Sequence, residues 1–306
     1  MTMRIGVIGV GTIGGPLAAN IVRGGHPVLV HDLRPEAVAA MTALGATAPG
    51  GIAALARASD VVITILPDAP DVEAAALGPG GIAEHIREGA VYLDMSTIDP
   101  GTSRRIGAVL AAKGVGMLDA PITRSVDHAR AGRSALLVGG EPALLERVRP
   151  ILACMADTIT HCGPLGAGHA MKLVNNFMGA GLVALVSEAM AMGMKAGLGL
   201  EAMMDATGRT GTRNAMLQEV LPARAFKGDF GAGFMCRLAL KDQRLALAMA
   251  AAGGVPTPLG RTVYGLLEEA TRRWPTDDFT SLLRLVEEAA GVQVRLAGHD
   301  GAAQAM

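Results

Sequence analysis

The chain has 306 residues, a formal net charge of −1 and an apolar content of 50%. This near-zero charge argues against nucleic acid or an anionic membrane as a partner, and the length is enough for two domains. Three scattered cysteines exclude a disulfide framework or a zinc site, which favours a reduced, cytoplasmic setting. Seven histidines without metal-ligand spacing predict no metal site.

Short apolar runs alternate with helical stretches up to about residue 160, which predicts βαβ units and a parallel sheet. The predicted strands cover residues 4–8, 28–31, 61–66, 91–94, 116–119 and 135–138. The predicted helices cover residues 15–23, 35–44, 52–58, 71–77 and 100–113. In the last of these, Asp99 and Pro100 have the types expected of an N-cap and a first helical residue.

Strand signals stop near Gly163, and helical periodicity continues to about residue 291. The boundary between domains is therefore expected in the segment 163–168, with the helix that follows as the connector. We expect domains at residues 1–165 and 166–295, and a frayed tail at 296–306.

A glycine-rich segment, GVGTIG at residues 9–14, follows the first predicted strand and opens the first predicted helix. In this position glycines let the backbone approach a pyrophosphate, which the N–H groups of the helix bind. The alternative is a glycine turn without a ligand. The positions predicted to contact the cofactor are Gly9, Gly11, Thr12, Ile13 and Gly14.

Asp32 ends the second predicted strand, 18 residues beyond Gly14. A carboxylate there accepts hydrogen bonds from the ribose hydroxyls and repels a 2′-phosphate, which favours NAD. Arg34 could reach such a phosphate, so NADP stays possible. The alternative for Asp32 is a helix cap or a salt bridge.

Three further segments follow predicted strands and reach the same sheet edge, where open parallel sheets bind ligands. Leu66-Pro67 would flank the cofactor, and Ser96-Thr97 would line the pocket unless they only cap the helix at Pro100. Thr123 and Arg124 end the fifth strand region. A guanidinium there could clamp an anion, although it could also be a solvated surface arginine.

A lysine and two carboxamides interrupt the apolar run near residue 173. On a helix Lys172, Asn175, Asn176 and Gly179 share one face. Because burying a lysine costs several kcal/mol, this pattern indicates chemistry unless the lysine reaches solvent from the first turn. Lys241 lies in a second helical run, 234–250, and the sequence alone does not place it near Lys172.

The run from Leu173 to Ser187 is the best membrane candidate in the sequence. It contains two asparagines and is too short to span a bilayer. We therefore expect a helix that is buried on all sides in a protein without a membrane partner.

These motifs, in this order, resemble the β-hydroxyacid dehydrogenases, which include 3-hydroxyisobutyrate dehydrogenase and tartronate semialdehyde reductase. The resemblance runs from about residue 4 to residue 291. It is carried by GVGTIGGP at 9–16, ILPD at 65–68, DMST at 94–97, DAP at 119–121, the segment GPLGAGHAMKLVNN at 163–176 and LALKD at 238–242.

The resemblance implies an α/β Rossmann N-terminal domain, a long interdomain helix and an all-α C-terminal domain, in a homodimer or homotetramer. It implies hydride transfer between a nicotinamide and a 3-hydroxyacid/semialdehyde pair. Lys172 matches the catalytic acid/base and Asn176 the substrate-holding asparagine, with Asn175 beside it. Thr97 and Lys241 match residues next to cofactor and substrate, and Ser96 and Thr123 would contact the substrate.

One departure concerns Arg124, which stands where most of the family has a glycine. The sulfolactaldehyde reductase branch resembles this chain there, so a sulfonate or dicarboxylate substrate is plausible alongside a 3-hydroxyisobutyrate-like one. Imine reductases share the implied fold but generally lack the lysine matching Lys172. A non-catalytic NAD-binding relative is the other alternative, and the presence of Lys172 disfavours both.

Overall fold

A computed structural model describes residues 2–298 and divides the chain into two compact units, Met1–Leu173 and Val174–Met306. Most of the predicted tail, from His299 to Met306, lies outside the described residues. The predicted domain boundary after residue 165 remains a prediction.

The first unit contains an eight-stranded sheet in the described part of the chain, with the order β2-β1-β3-β4-β5-β7-β6 and β8 paired with β7. The strands are β1 (Ile5–Ile8), β2 (Val28–His31), β3 (Val61–Thr64), β4 (Val91–Asp94), β5 (Gly116–Asp119), β6 (Ile122–Thr123), β7 (Ser134–Gly139) and β8 (Ala156–Gly163). Strands β1 to β5 are parallel, as predicted. The order reverses between β1 and β3, which is where such sheets bind ligands.

The predicted parallel sheet has antiparallel pairing at one edge. Strand β7 runs antiparallel to both β5 and β6. Antiparallel strands need no long crossover connection between them. The segment that joins β6 to β7 is accordingly short. The neighbouring strand β8 is again parallel to β7.

Helices cover both faces of this sheet and bury two apolar clusters. They are α1 (Gly14–Arg23), α2 (Pro35–Thr42), α3 (Ile52–Ala58), α4 (Ala69–Leu77), α5 (Ile82–His85), α6 (Pro100–Ala111), α7 (Val126–Arg130) and α8 (Pro142–Met155). One cluster includes Leu17 and Ile21 of α1 with Ile151 of α8. The other includes Leu55 of α3 and Ile106 of α6. The sheet is thus a buried scaffold whose strand ends carry the polar residues.

The second unit is helical in its described residues. Its helices are the greater part of α9 (Ala167–Lys195), then α10 (Leu200–Gly208), α11 (Leu221–Ala223), α12 (Cys236–Ala252), α13 (Pro258–Arg273) and α14 (Leu282–Ala290), with short π and 3₁₀ turns at Met216–Val220, Ala225–Lys227 and Phe279–Ser281. One apolar cluster fills its interior, with Val183 of α9, Leu267 of α13 and Leu283 of α14 fully buried. This agrees with the predicted all-α second domain.

Helix α9 corrects two expectations about the apolar run after residue 173. It has 29 residues and contains an 18-residue stretch of mean hydropathy 1.6, so by length and composition it could cross a membrane. It is also not buried on all sides, because only 44% of that stretch is buried. Val183 and Met190 pack inward, whereas Met178, Leu185 and Met192 are exposed.

Candidate active site

The turn after β1 is shaped by two glycines for which no other residue fits. Gly9 has a φ of +90°, and a Cβ there would lie 2.2 Å from the carbonyl oxygen of Ile65. A Cβ at Gly14 would lie 1.9 Å from the carbonyl oxygen of Gly9. These two positions therefore fix how tightly α1 follows the strand.

Gly11 differs because a Cβ there would meet no backbone atom. A Cβ there would meet only the guanidinium of Arg34, at 2.7 Å. Helix α1 begins without a side-chain cap at Ile13 and without an acidic residue in its first turn. An uncapped helix N-terminus beside an open glycine backbone fits a pyrophosphate. Gly11, Thr12 and Ile13 would hold this group.

Asp32 ends β2 beside this turn with its carboxylate already oriented. Its Oδ2 accepts the N–H of Val10 at 3.0 Å, and its Oδ1 accepts the backbone N–H of Arg34 at 2.9 Å. Burial raises the pKa of Asp32, but the hydrogen bonds from Arg34 and Val10 outweigh that effect and lower it. Asp32 is thus an ionised acceptor at the loop. Arg34 Nε also forms an ion pair with it, at 3.2 Å.

The ends of β3 and β4 are joined by a hydrogen bond between two predicted site residues. The N–H of Leu66 donates to the Ser96 hydroxyl at 3.0 Å, and the N–H of Ser96 donates to Oδ1 of Asp94 at 3.1 Å. The helix that starts at Pro100 is capped by Asp99, which accepts the N–H of Thr102. Capping of that helix therefore does not explain Ser96. Pro67 and Thr97 follow these two residues directly at the same edge.

Thr123 and Arg124 lie farther along the sheet, and both side chains have protein partners. The Thr123 hydroxyl donates to the carbonyl of Ala135 at 3.1 Å. The Arg124 guanidinium donates to Oδ1 of Asp157 at 2.6 Å and to the hydroxyl of Thr158 at 3.0 Å. Arg124 has a φ of +74°, the left-handed region that favours glycine. Its predicted clamp role would thus require exchange of the Asp157 ion pair for substrate.

Asp119, at the end of β5, holds the start of α9. Its Oδ1 accepts the N–H of Gly166 at 2.7 Å, and its Oδ2 accepts the N–H of His169 at 2.7 Å. A Cβ at Gly168 would lie 2.2 Å from the carbonyl oxygen of Leu137. The glycines of segment 163–168 therefore let the backbone reach the sheet closely enough to be bound by Asp119.

Lys172 lies one helical turn after His169 and belongs to the first unit. It is half-buried. Because α9 begins at Ala167, Lys172 lies in the second turn of this helix.

In the second unit, Asn176 is oriented by a residue whose role the sequence did not reveal. Its Nδ2 donates to Oδ2 of Asp242 at 2.6 Å, and its Oδ1 accepts from Nδ2 of Asn175 at 3.1 Å. Asp242 is buried and forms an ion pair with Lys241, whose Nζ lies 3.2 Å from Oδ1. Within this unit the structure thus brings together Asn175, Asn176 and Lys241.

Two family models match adjoining parts of the chain. Residues 4–163 match the NAD binding domain of 6-phosphogluconate dehydrogenase, and residues 166–286 match the NAD-binding domain of NADP-dependent 3-hydroxyisobutyrate dehydrogenase. Together they span both units. The chain belongs to the β-hydroxyacid dehydrogenase family.

Curated relatives match this family member over nearly its whole length. The chain is 34% identical to 2-(hydroxymethyl)glutarate dehydrogenase of Eubacterium barkeri, over 96% of this chain and 98% of that protein. It is 36% identical to 3-hydroxyisobutyrate dehydrogenase of Pseudomonas aeruginosa, over 92% and 97%. A solved structure of Mycobacterium tuberculosis 3-hydroxyisobutyrate dehydrogenase with L-serine superimposes with a TM-score of 0.89 at 30% identity, over 94% and 99%.

Membership in the β-hydroxyacid dehydrogenases confirms the predicted fold class, and it makes the protein an oxidoreductase that uses NAD or NADP. The sequence interpretation did not assign roles to four buried polar residues of this family member. Asp94 and Asp119 each end an apolar strand at one sheet edge, which is a signal that could have found them. His169 and Asp242 gave no comparable signal, because the side-chain hydrogen bonds of His169 to Ser103 and of Asp242 to Asn176 each join residues 66 apart.

Proposed function

We propose that this protein interconverts a small anionic 3-hydroxyacid and its semialdehyde, with Lys172 as the general acid/base. One observation carries the proposal. Asp119 fixes the start of α9, and hence the turn that precedes Lys172, to the sheet edge at which β3 and β4 present Leu66 and Ser96. Lys172, which carries a titratable amine, thereby belongs to the same unit as the proposed nucleotide-binding turn.

A nicotinamide held by the glycine turn and Asp32 would supply the hydride acceptor for oxidation and the hydride donor for reduction. In the oxidation direction the hydroxyl proton of the substrate passes to the neutral amine of Lys172 while the carbinol hydrogen leaves as hydride. In the reduction direction the ammonium of Lys172 returns that proton to the forming alkoxide. Such general acid–base catalysis contributes about 10²- to 10⁴-fold.

The remaining predicted residues position the substrate and the cofactor. The Asn176 amide, oriented by Asp242, would hold the hydroxyl together with Asn175, and Ser96 and Thr123 would contact the substrate. Thr97 and Lys241 would lie beside both molecules. Because a small flexible acid loses much of its rate advantage without such positioning, these contacts supply several kcal/mol of barrier lowering.

For the cofactor, we propose NAD in preference to NADP. The ionised carboxylate of Asp32 is held at the end of β2, where a ribose 2′-phosphate would be repelled. Arg34 is paired with that same carboxylate, so its charge is partly neutralised toward a phosphate.

For the substrate, the proposal includes 3-hydroxyisobutyrate-like acids and also sulfonate or dicarboxylate analogues. Two relatives with different named substrates match the chain at 34% and 36% identity, so overall similarity does not choose between them. Arg124 supports the more strongly anionic class, because its ion pair with Asp157 is more than a third exposed on both sides. Exposed pairs are worth about 0–1 kcal/mol and can exchange partners. A cytoplasmic homodimer or homotetramer completes the proposal.

The test is a nicotinamide absorbance assay with a panel of semialdehydes, namely sulfolactaldehyde and the tartronate, methylmalonate and succinate semialdehydes, each with NADH and NADPH. We expect turnover on at least one of them, faster with NADH. Absence of turnover on the whole panel, with NADH still bound, would support the non-catalytic alternative. Turnover of cyclic imines in place of semialdehydes would support the imine reductase alternative.

A further inference from the structure

The structure contains a buried histidine that joins three elements around the start of α9. His169 is fully buried, and both of its ring nitrogens have partners. Its Nε2 lies 3.0 Å from the carbonyl oxygen of Ser96, and its Nδ1 lies 2.6 Å from the hydroxyl of Ser103 on α6. Its backbone N–H donates to Asp119. One residue therefore ties α9 to the ends of β4 and β5 and to α6.

Two buried carboxyl groups lie beside this ring. Oδ2 of Asp94 lies 3.7 Å from Nε2 of His169, and Oδ2 of Asp119 lies 3.7 Å from Nδ1. Asp94 Oδ2 accepts no hydrogen bond from any described residue. Replacing the ring by an apolar side chain would remove a polar neighbour from both carboxyl groups.

The His169 ring lies one helical turn before Lys172 on α9, so it can affect the reaction through the position of that lysine. Residues three apart on a helix are neighbours, and helical side chains lean back toward the N-terminus over the preceding turn. The Lys172 side chain therefore reaches over the turn that His169 anchors. The same ring contacts the backbone of Ser96, a predicted substrate residue.

We propose that His169 is a positioning residue, which sets the distance between the amine of Lys172 and the pocket edge formed by Ser96 and Thr97. This inference rests on the proposed function, since it assigns Lys172 the proton transfer. A loose anchor would let α9 shift relative to β4, and a misplacement of about 1 Å can cost about 10²-fold in rate.

Three variants test this role. His169→Leu removes both ring contacts at similar volume, and His169→Gln keeps an amide N–H that can reach the Ser96 carbonyl. His161→Leu is the control for losing an imidazole elsewhere, because His161 is exposed and binds the backbone carbonyl of Gly140 through Nε2. For each variant we would measure kcat, KM and the Kd for NADH.

We expect His169→Leu to lower kcat by about 10- to 100-fold while the Kd for NADH changes less than about twofold. His169→Gln should recover most of that loss, and His161→Leu should match the wild type. A folded His169→Leu with wild-type kcat would overturn the proposal. So would an equal loss of kcat and NADH affinity that glutamine does not reverse, because that result indicates a general structural role.

If His169→Leu does not fold, Ser103→Ala takes its place. Removing a single hydrogen bond to Nδ1 should lower kcat about 2- to 10-fold, and unchanged kcat would overturn the proposal.

If the wild type itself shows no turnover on the panel, the proposed function has failed. Amide hydrogen exchange then tests the anchor separately, with faster exchange expected in residues 167–173 of His169→Leu or Ser103→Ala. Unchanged exchange there would overturn the inference.

Discussion

The side-chain amide nitrogen of Asn176 lies 2.6 Å from Oδ2 of Asp242, and Asp242 is almost fully buried. A carboxylate can only accept from this amide, so it fixes which end of the Asn176 side chain is donor and which is acceptor. Asn175 donates to the other end at 3.1 Å. Asn176 therefore presents its remaining N–H in one orientation, as a substrate-binding amide requires.

Asp242→Asn should disturb that orientation without removing any volume. The charge-assisted hydrogen bond is worth about 1.5–3 kcal/mol, so we expect kcat/KM to fall about 10- to 100-fold. Steady-state kinetics measure the loss, and NADH titration should show an unchanged Kd. Normal kcat/KM in this variant would mean that Asn176 does not hold the substrate.

Asp32→Asn tests the preference for NAD. Removing the charge weakens the acceptor for the ribose hydroxyls and the repulsion of a 2′-phosphate. We expect the Kd for NADH to rise about tenfold, the loss of roughly one strong hydrogen bond, while the Kd for NADPH falls. Fluorescence titration measures both constants. Arg34→Ala is the companion variant, and a large loss of NADPH affinity there would identify Arg34 as a phosphate ligand.

Arg124→Gly tests the substrate class. We expect it to raise KM for sulfonate or dicarboxylate substrates more than for 3-hydroxyisobutyrate, because only the former present a sulfonate or a second carboxylate to the guanidinium. Glycine suits the φ of +74° at this position, so stability should not fall.

Asp157→Asn provides the opposite perturbation at the same pair. It frees Arg124 from its ion pair and should lower KM for the sulfonate or dicarboxylate substrates. Equal effects of Arg124→Gly on both substrate classes would contradict the clamp. An unchanged KM in Asp157→Asn would show that the ion pair does not compete with substrate.

Asp99→Ala tests the cap of α6 and its dependence on pH. Burial raises the pKa of Asp99, but hydrogen bonds from Thr102 and the charge of Arg105 outweigh it and lower the pKa below 3.8. Its ionised form is thus favoured in the folded state, and the ionic part of its stabilisation is present above about pH 4 and lost as the pH falls through the folded pKa.

We expect Asp99→Ala to lower the free energy of unfolding by about 1 kcal/mol at pH 7. Urea unfolding at pH 7 and at about pH 2.5 measures the difference from the wild type, which should shrink at the lower pH. A difference that stays constant between these two values would show that the Asp99 charge contributes nothing.

Much of the nucleotide-binding fold could be predicted from the sequence because its strands are short apolar runs buried on both faces. Strands β2, β4 and β5 match the predicted bounds, and β1 and β3 differ by one or two residues. Strand β8 was missed because half of its residues are exposed and its polar residues interrupt any apolar run. Strand β6 was missed because two residues give no periodicity.

The site was predictable where a motif carries its own geometry, as in the glycine turn at residues 9–14. It was not predictable where function depends on contacts between distant segments. The hydrogen bond between Ser103 and His169 joins residues 66 apart. The ion pair of Arg124 joins it to Asp157, on a strand that the sequence did not reveal. A local sequence pattern gives no information about which residues from distant segments will be in contact.

The most direct test of the central claim is the single-turnover rate of Lys172→Ala with saturating NADH and the best semialdehyde of the panel. Lys172→Arg serves as the matched control, since it keeps the charge but cannot exchange the proton at neutral pH. We predict that both variants bind NADH like the wild type and reduce the substrate at least about 10²-fold more slowly. Wild-type rates in Lys172→Ala would contradict the assignment of this lysine as the acid/base.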